Sequence, residues 1–124
     1  MFDINGETWY LVFVSPGHSY LTRSDGSVTI GMCDDITKSI YIDNTLDEQL
    51  MRKVLAHEIT HAAMFSYNVD LCPRQEELVA MLIDTYGQEI ISITNQISRY
   101  LSTKNGSFFF KKLPYFCFSL IVNW

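Results

Sequence analysis

The sequence predicts an α+β domain in which a short three-stranded sheet, antiparallel or mixed, is followed by two helices. Three features carry that prediction. Residues 1–44 are divided by turn signals into short runs of β-branched and aromatic side chains. From Thr45 onward the apolar residues recur at intervals of three and four rather than two. The chain has 124 residues, 48% apolar and 19% charged, enough for one hydrophobic core and not for two.

The first expected strand is Thr8-Trp9-Tyr10-Leu11-Val12-Phe13-Val14, stopped by Ser15-Pro16-Gly17. A second, Ser27-Val28-Thr29-Ile30, follows the turn signal Ser24-Asp25-Gly26. The third, Lys38-Ser39-Ile40-Tyr41-Ile42-Asp43, alternates apolar and polar as a half-buried strand does, with Asp34 and Asp35 in the loop before it. The punctuation is that of a β-meander.

Thr45 followed by Glu48 matches a capping box, which starts a helix near Leu46. Leu50, Val54, Ala56, Ile59, Ala63 and Met64 keep helical spacing, and the helix should fray near Tyr67-Asn68. Pro73 suits the first turn of a second helix running to about Tyr100. Gly87 is the candidate interruption, since glycine inside a helix costs about 1 kcal/mol relative to alanine. The domain is expected to span residues 1–106. Residues 107–124 form an apolar tail holding five of the eight Phe, read as a strand or arm packed on the domain or a neighbour, or as an altered terminus.

Fourteen acids against nine bases leave a net charge of −5, which argues against a general nucleic-acid binder. Cys33, Cys72 and Cys117 are odd in number and contain no C-x-x-C pair, so a disulfide framework or cysteine zinc knuckle is not expected. No basic-then-apolar leader is visible, and no apolar run reaches the roughly 18–20 residues of a membrane span. The chain reads as a small soluble protein of the reducing cytoplasm.

Residues 57–61 are His57-Glu58-Ile59-Thr60-His61, an H-E-x-x-H inside the first helix. Histidines four apart project from one helical face and can converge on one ion. Glu58, rotated about 100° from His57, can reach a water at that ion without coordinating it, as metal-assisted hydrolysis requires. The flanks Val54-Leu55-Ala56 and Ala62-Ala63-Met64 bury the helix, where two histidines and a glutamate are costly unless satisfied. A catalytic zinc takes three protein ligands and keeps one position open. No third histidine stands at position 67, which is Tyr; Glu76-Glu77 opens the next helix after a 14-residue link. Glu77 borders the apolar face of that helix and is the first choice as third ligand, with Glu76 as the alternative and His18 behind both.

The run Ile40-Tyr41-Ile42-Asp43, the capped helix with Val54-Leu55-Ala56-His57-Glu58-Ile59-Thr60-His61-Ala62, and Glu76-Glu77-Leu78-Val79-Ala80 together resemble the small gluzincin metallopeptidases. They are similar in particular to the ImmA/IrrE-like and phage- or prophage-encoded minimal zincins. The resemblance covers roughly residues 28–90. It implies a small zincin-like fold, a zinc ion on His57, His61 and Glu77, Glu58 as general base, and peptide-bond hydrolysis. Larger gluzincins often place a histidine-orienting acid four residues beyond the ligand glutamate. Here those positions are Met81 and Ala80, so such an acid must come from elsewhere.

A peptide or protein substrate is the expected partner, added as an extra strand along Ser39-Ile40-Tyr41-Ile42. Tyr67, Tyr41 and His18 are the candidates for a second donor to the reacting carbonyl. The alternative function is a zinc-stabilised regulatory or binding module of the same fold, with a regulatory protein as partner.

Overall fold

Asn5 and Gly6 both adopt left-handed backbone, φ 49° and 78°, in the computed structural model, which describes residues 1–103. Asn-Gly is the residue pair a two-residue hairpin turn favours, and it folds β1 (Phe2–Ile4) back on β2 (Glu7–Val14), with Ile4 opposite Glu7. This first strand lies outside the three expected from sequence. Its signal was present in the Asn-Gly pair.

β3 (Gly31–Asp34) and β4 (Ser39–Asp43) form a second hairpin. The Asp34 carboxylate shapes its turn, accepting from the Ile36 N–H and the Thr37 hydroxyl at 2.9 Å each. The sheet order is β1-β2-β4-β3, so the arrangement is not a meander: β4 inserts between β2 and β3 and runs parallel to β2, Tyr10 opposite Ser39. Every residue of β4 is buried, as befits a central strand covered on both faces. The expected strand at Ser27–Ile30 is displaced to Gly31–Asp34. Thr29 N–H is taken by the Leu21 carbonyl at 2.8 Å, and Val28 makes only an isolated bridge with Thr22.

Alternation sorts the sheet's side chains onto two faces. Trp9, Ile40 and Ile42, fully buried, pack with Val54 and Ala62 of α1 (Glu48–Ser66). Tyr41 and Val14 pack on the other face with Leu21, which belongs to a short 3-10 turn at Ser19–Leu21. Burial of each large side chain of this core contributes about 1.5–3 kcal/mol. Two hydrogen bonds tie the end of α1 to the first hairpin: Trp9 Nε1–H donates to Ser66 Oγ at 2.8 Å, and Asn5 Nδ2–H to the Ser66 carbonyl at 3.0 Å.

The N-cap of α1 is Asp47, whose carboxylate accepts from Leu50 N–H at 2.8 Å. Thr45 does not fill that role because Asp43 engages both its N–H and its hydroxyl. Tyr67 closes the helix and Asn68 turns the chain at φ 53°, where fraying was expected. Pro73 opens α2 (Pro73–Thr103), which continues through Gly87 without a break.

Residues 1–87 form one compact unit, and a second begins at Gln88. Within the described residues the second unit is helical to Thr103, with Ile90, Ile91, Ile93 and Ile97 exposed. The apolar tail at 107–124 lies outside the described residues. No helix among the described residues is long and apolar enough to cross a membrane.

Candidate metal centre

One helical turn separates His57 from His61, and the structure turns both rings to the same point: their Nε2 atoms are 3.3 Å apart. Glu77, from the first turns of α2, meets them there. Its Oε2 lies 3.2 Å from His57 Nε2 and its Oε1 3.0 Å from His61 Nε2. One donor atom from each of the three residues falls within 4.8 Å of the other two.

Glu76 goes elsewhere. Its Oε1 is 2.7 Å from His61 Nδ1, on the far side of the ring. His57 has the same arrangement with Asp84, whose Oδ2 is 2.7 Å from Nδ1. The two carboxylates can only accept, so each Nδ1 carries the hydrogen and each Nε2 presents a lone pair. With both rings neutral, two lone pairs and a carboxylate thus face one another. That is the donor set of a divalent cation, and the residues fit zinc in number, type and tautomer.

Asp84 is the functional side chain that sequence reasoning missed. It stands seven residues beyond Glu77, two helical turns along the same face, whereas the expected position was one turn along. Lys53 Nζ lies 3.2 Å from Asp84 Oδ1, and the Thr85 hydroxyl donates to the same oxygen at 2.7 Å. Burial alone would raise the Asp84 pKa, but the hydrogen bonds from Thr85, His57 and Lys53 outweigh it and hold the carboxyl below its ordinary value.

Glu58 lies on the inward side of α1, 8% exposed, beside β3. Gly31 makes that approach possible. A Cβ there would meet Val54 Cγ1 at 2.5 Å and Glu58 Oε1 at 3.1 Å. Burial, opposed by the nearby His61 and His57, raises the affinity of the Glu58 carboxylate for a proton. Cys33 lines the same cleft, and burial pushes its thiol far above the ordinary value, leaving a neutral wall rather than a nucleophile.

A cleft of about 400 Å³ runs past these groups, lined by Gly31, Met32 and Cys33 of β3 and by His57, Glu58, His61, Glu76 and Glu77. None of the three further sequence candidates lines it. Tyr41 is buried against Tyr20, ring centroids 4.4 Å apart. His18 caps the 3-10 turn, its Nδ1 accepting from Tyr20 N–H at 3.2 Å. Tyr67 is the exposed C-cap of α1. The strand expected to receive a peptide, Ser39–Ile42, has β2 on one side and β3 on the other, so no edge is free there.

No curated protein and no solved structure gives a match to this chain. A family model does match, over residues 12–94, which takes in β3, β4, α1 and the whole histidine–carboxylate cluster. With more than half of its length inside that match, the chain belongs to the IrrE N-terminal-like domain family of zincin-type metallopeptidases.

Proposed function

We propose that the protein hydrolyses peptide bonds with a zinc ion held by His57, His61 and Glu77 and with Glu58 as general base. The observation that carries this reading is the convergence of two imidazole lone pairs and one carboxylate, each ring fixed from behind by an acid. Bound zinc would lower the pKa of a water toward about 7 and polarise a carbonyl.

The remaining work falls to the chain. Asp84 and Glu76 hold the imidazoles in the Nδ1–H tautomer and fix their rotation. Glu58, desolvated and with a raised proton affinity, takes a proton from the attacking water and returns it to the leaving nitrogen. The substrate strand pairs with β3, which is the edge of the sheet next to the cleft, in place of the inaccessible β4. Main-chain bonds along β3 would accept many sequences, which fits peptide or unfolded protein substrates. Free Cys33 and Cys72 support a reducing, cytoplasmic setting.

The test is zinc content and turnover on denatured casein for the full chain and its Glu58→Gln variant. The reading predicts about one zinc per chain in both and cleavage only by the parent, with kcat lowered at least 10²-fold in the variant. Zinc without cleavage by the parent would favour the alternative, a zinc-stabilised regulatory module.

A further inference from the structure

Arg23 stands where two recesses meet. It lines the 400 Å³ cleft and also a second recess of about 210 Å³, bounded by Ile30, Leu50, Val54 and Asp84. His57, Glu58 and Gly31 are common to both walls, so the arginine shares the border that carries the reacting groups. In the larger cleft it shares the lining with three carboxylates, Glu58, Glu76 and Glu77, and is the one lysine or arginine among the described lining residues.

Its guanidinium forms no hydrogen bond or ion pair with any described residue, whereas Lys53 at the smaller recess is engaged by Asp84 and Thr85. The backbone beneath it is pinned. Arg23 N–H donates to the Ser27 carbonyl at 2.8 Å, Gly26 N–H donates back to Arg23 at 2.9 Å, and Asp25 accepts from both Ser27 donors. A pinned backbone with an exposed, unpaired planar cation at the border of an acidic cleft suits an anion bound there.

Attack of water on a peptide carbonyl forms a C–O bond and moves the C=O π pair onto the carbonyl oxygen, while the water proton goes to Glu58. When that pair returns, the C–N bond breaks and Glu58 delivers the proton to nitrogen. Negative charge on the carbonyl oxygen is present only between those two events. Donors aimed at it accelerate the reaction, and removal of one costs about 10²–10³ in kcat. Tyr41, Tyr67 and His18 do not border the cleft; Arg23 does.

We propose that Arg23 is a catalytic residue, its guanidinium N–H groups stabilising the carbonyl oxygen of the scissile bond as it becomes an oxyanion. The role rests on the hydrolase reading above. Arginine keeps its proton throughout, so the step changes no protonation state but that of Glu58.

Arg23→Gln and Arg23→Lys, zinc-loaded, are compared with the parent on a short uncharged peptide spanning a bond mapped by cleavage of denatured casein. The expected result for Arg23→Gln is kcat lower by about 10²–10³, KM within about threefold, zinc content unchanged and partial recovery in Arg23→Lys. Calorimetric affinity for the phosphinic analogue of that peptide should fall with kcat/KM. Affinity for the peptide itself, measured on Glu58→Gln with and without the arginine change, should stay constant. Unchanged turnover overturns the role. So does a loss confined to KM and to peptides bearing a carboxylate, which would make Arg23 a substrate anchor. A parent that holds zinc and cleaves nothing overturns the hydrolase reading itself, and the arginine's role falls with it.

Discussion

Glu76 and Glu77 are adjacent in sequence and separated by about 100° around α2, so one carboxylate reaches the front of the histidine pair and the other its back. The sequence placed both at the right height on the helix but left open which side each would take. That choice depends on how α2 rolls against α1, a tertiary matter. It has a direct consequence for metal binding. Glu77→Gln should lose stoichiometric zinc, whereas Glu76→Gln and Asp84→Asn should bind about 10–100-fold more weakly, measured by competition with a chromogenic chelator. Equal losses at 76 and 77 would contradict the assignment. At Asp25, hydrogen bonds from the Ser27 hydroxyl and N–H hold the carboxyl below its ordinary 3.8. Its contribution to the Arg23 turn is therefore present above that value and lost as pH falls through the lower folded value. An NMR titration should find the Asp25 midpoint below 3.8, moved upward by Ser27→Ala; a midpoint that ignores the substitution would disconnect the turn from its acid.

At the scale of elements, the helices were legible because their signals are local. A 3.6-residue apolar repeat, an H-E-x-x-H at helical spacing and a proline at an N-terminus need no knowledge of the rest of the chain. The order of the sheet was not legible. Pairing β2 with β4 in parallel joins segments separated by about 25 residues, and the alternation of residues 38–43, which reads as a half-buried strand, gives no sign that β4 is central and buried throughout. The strand misplaced at Ser27–Ile30 has a similar cause. Its β-branched residues satisfy propensity, yet the pairing edge begins at Gly31, where a missing side chain lets β3 close on α1. Gly31→Ala is expected to cost about 1–3 kcal/mol in chemical denaturation, because Val54 sits where the methyl would go, and to lower kcat by moving Glu58. Ile42→Ala, in the core and outside the lining of the cleft, should cost about 2–5 kcal/mol with a smaller change in turnover per folded molecule. A reversal of those two profiles would break the link between the close approach and the base.

Within the unit formed by residues 1–87, α1 and the first part of α2 pass each other in opposite directions, with Lys53 reaching Thr85, His57 reaching Asp84 and His61 reaching Glu76. Polar side chains thus join the helices at the point where an apolar contact would otherwise be expected, and Glu77 and Glu58 add further negative charge beside them. Such a seam gains little from packing alone, so a cation at its centre should contribute to folding stability as well as to chemistry. Free zinc at about 1,000 times its Kd adds roughly 4 kcal/mol. Chelation should accordingly lower the melting temperature by roughly 10 °C or more, and a melting curve indifferent to chelator would show a seam that closes without metal. The most direct measurement is anomalous scattering at the zinc edge from crystals of the full chain. A single peak is expected, bonded to Nε2 of His57, Nε2 of His61 and a Glu77 oxygen, with Glu76 and Asp84 on the Nδ1 atoms behind. No peak between those rings, or one ligated by Glu76 with Glu77 turned to solvent, would contradict it.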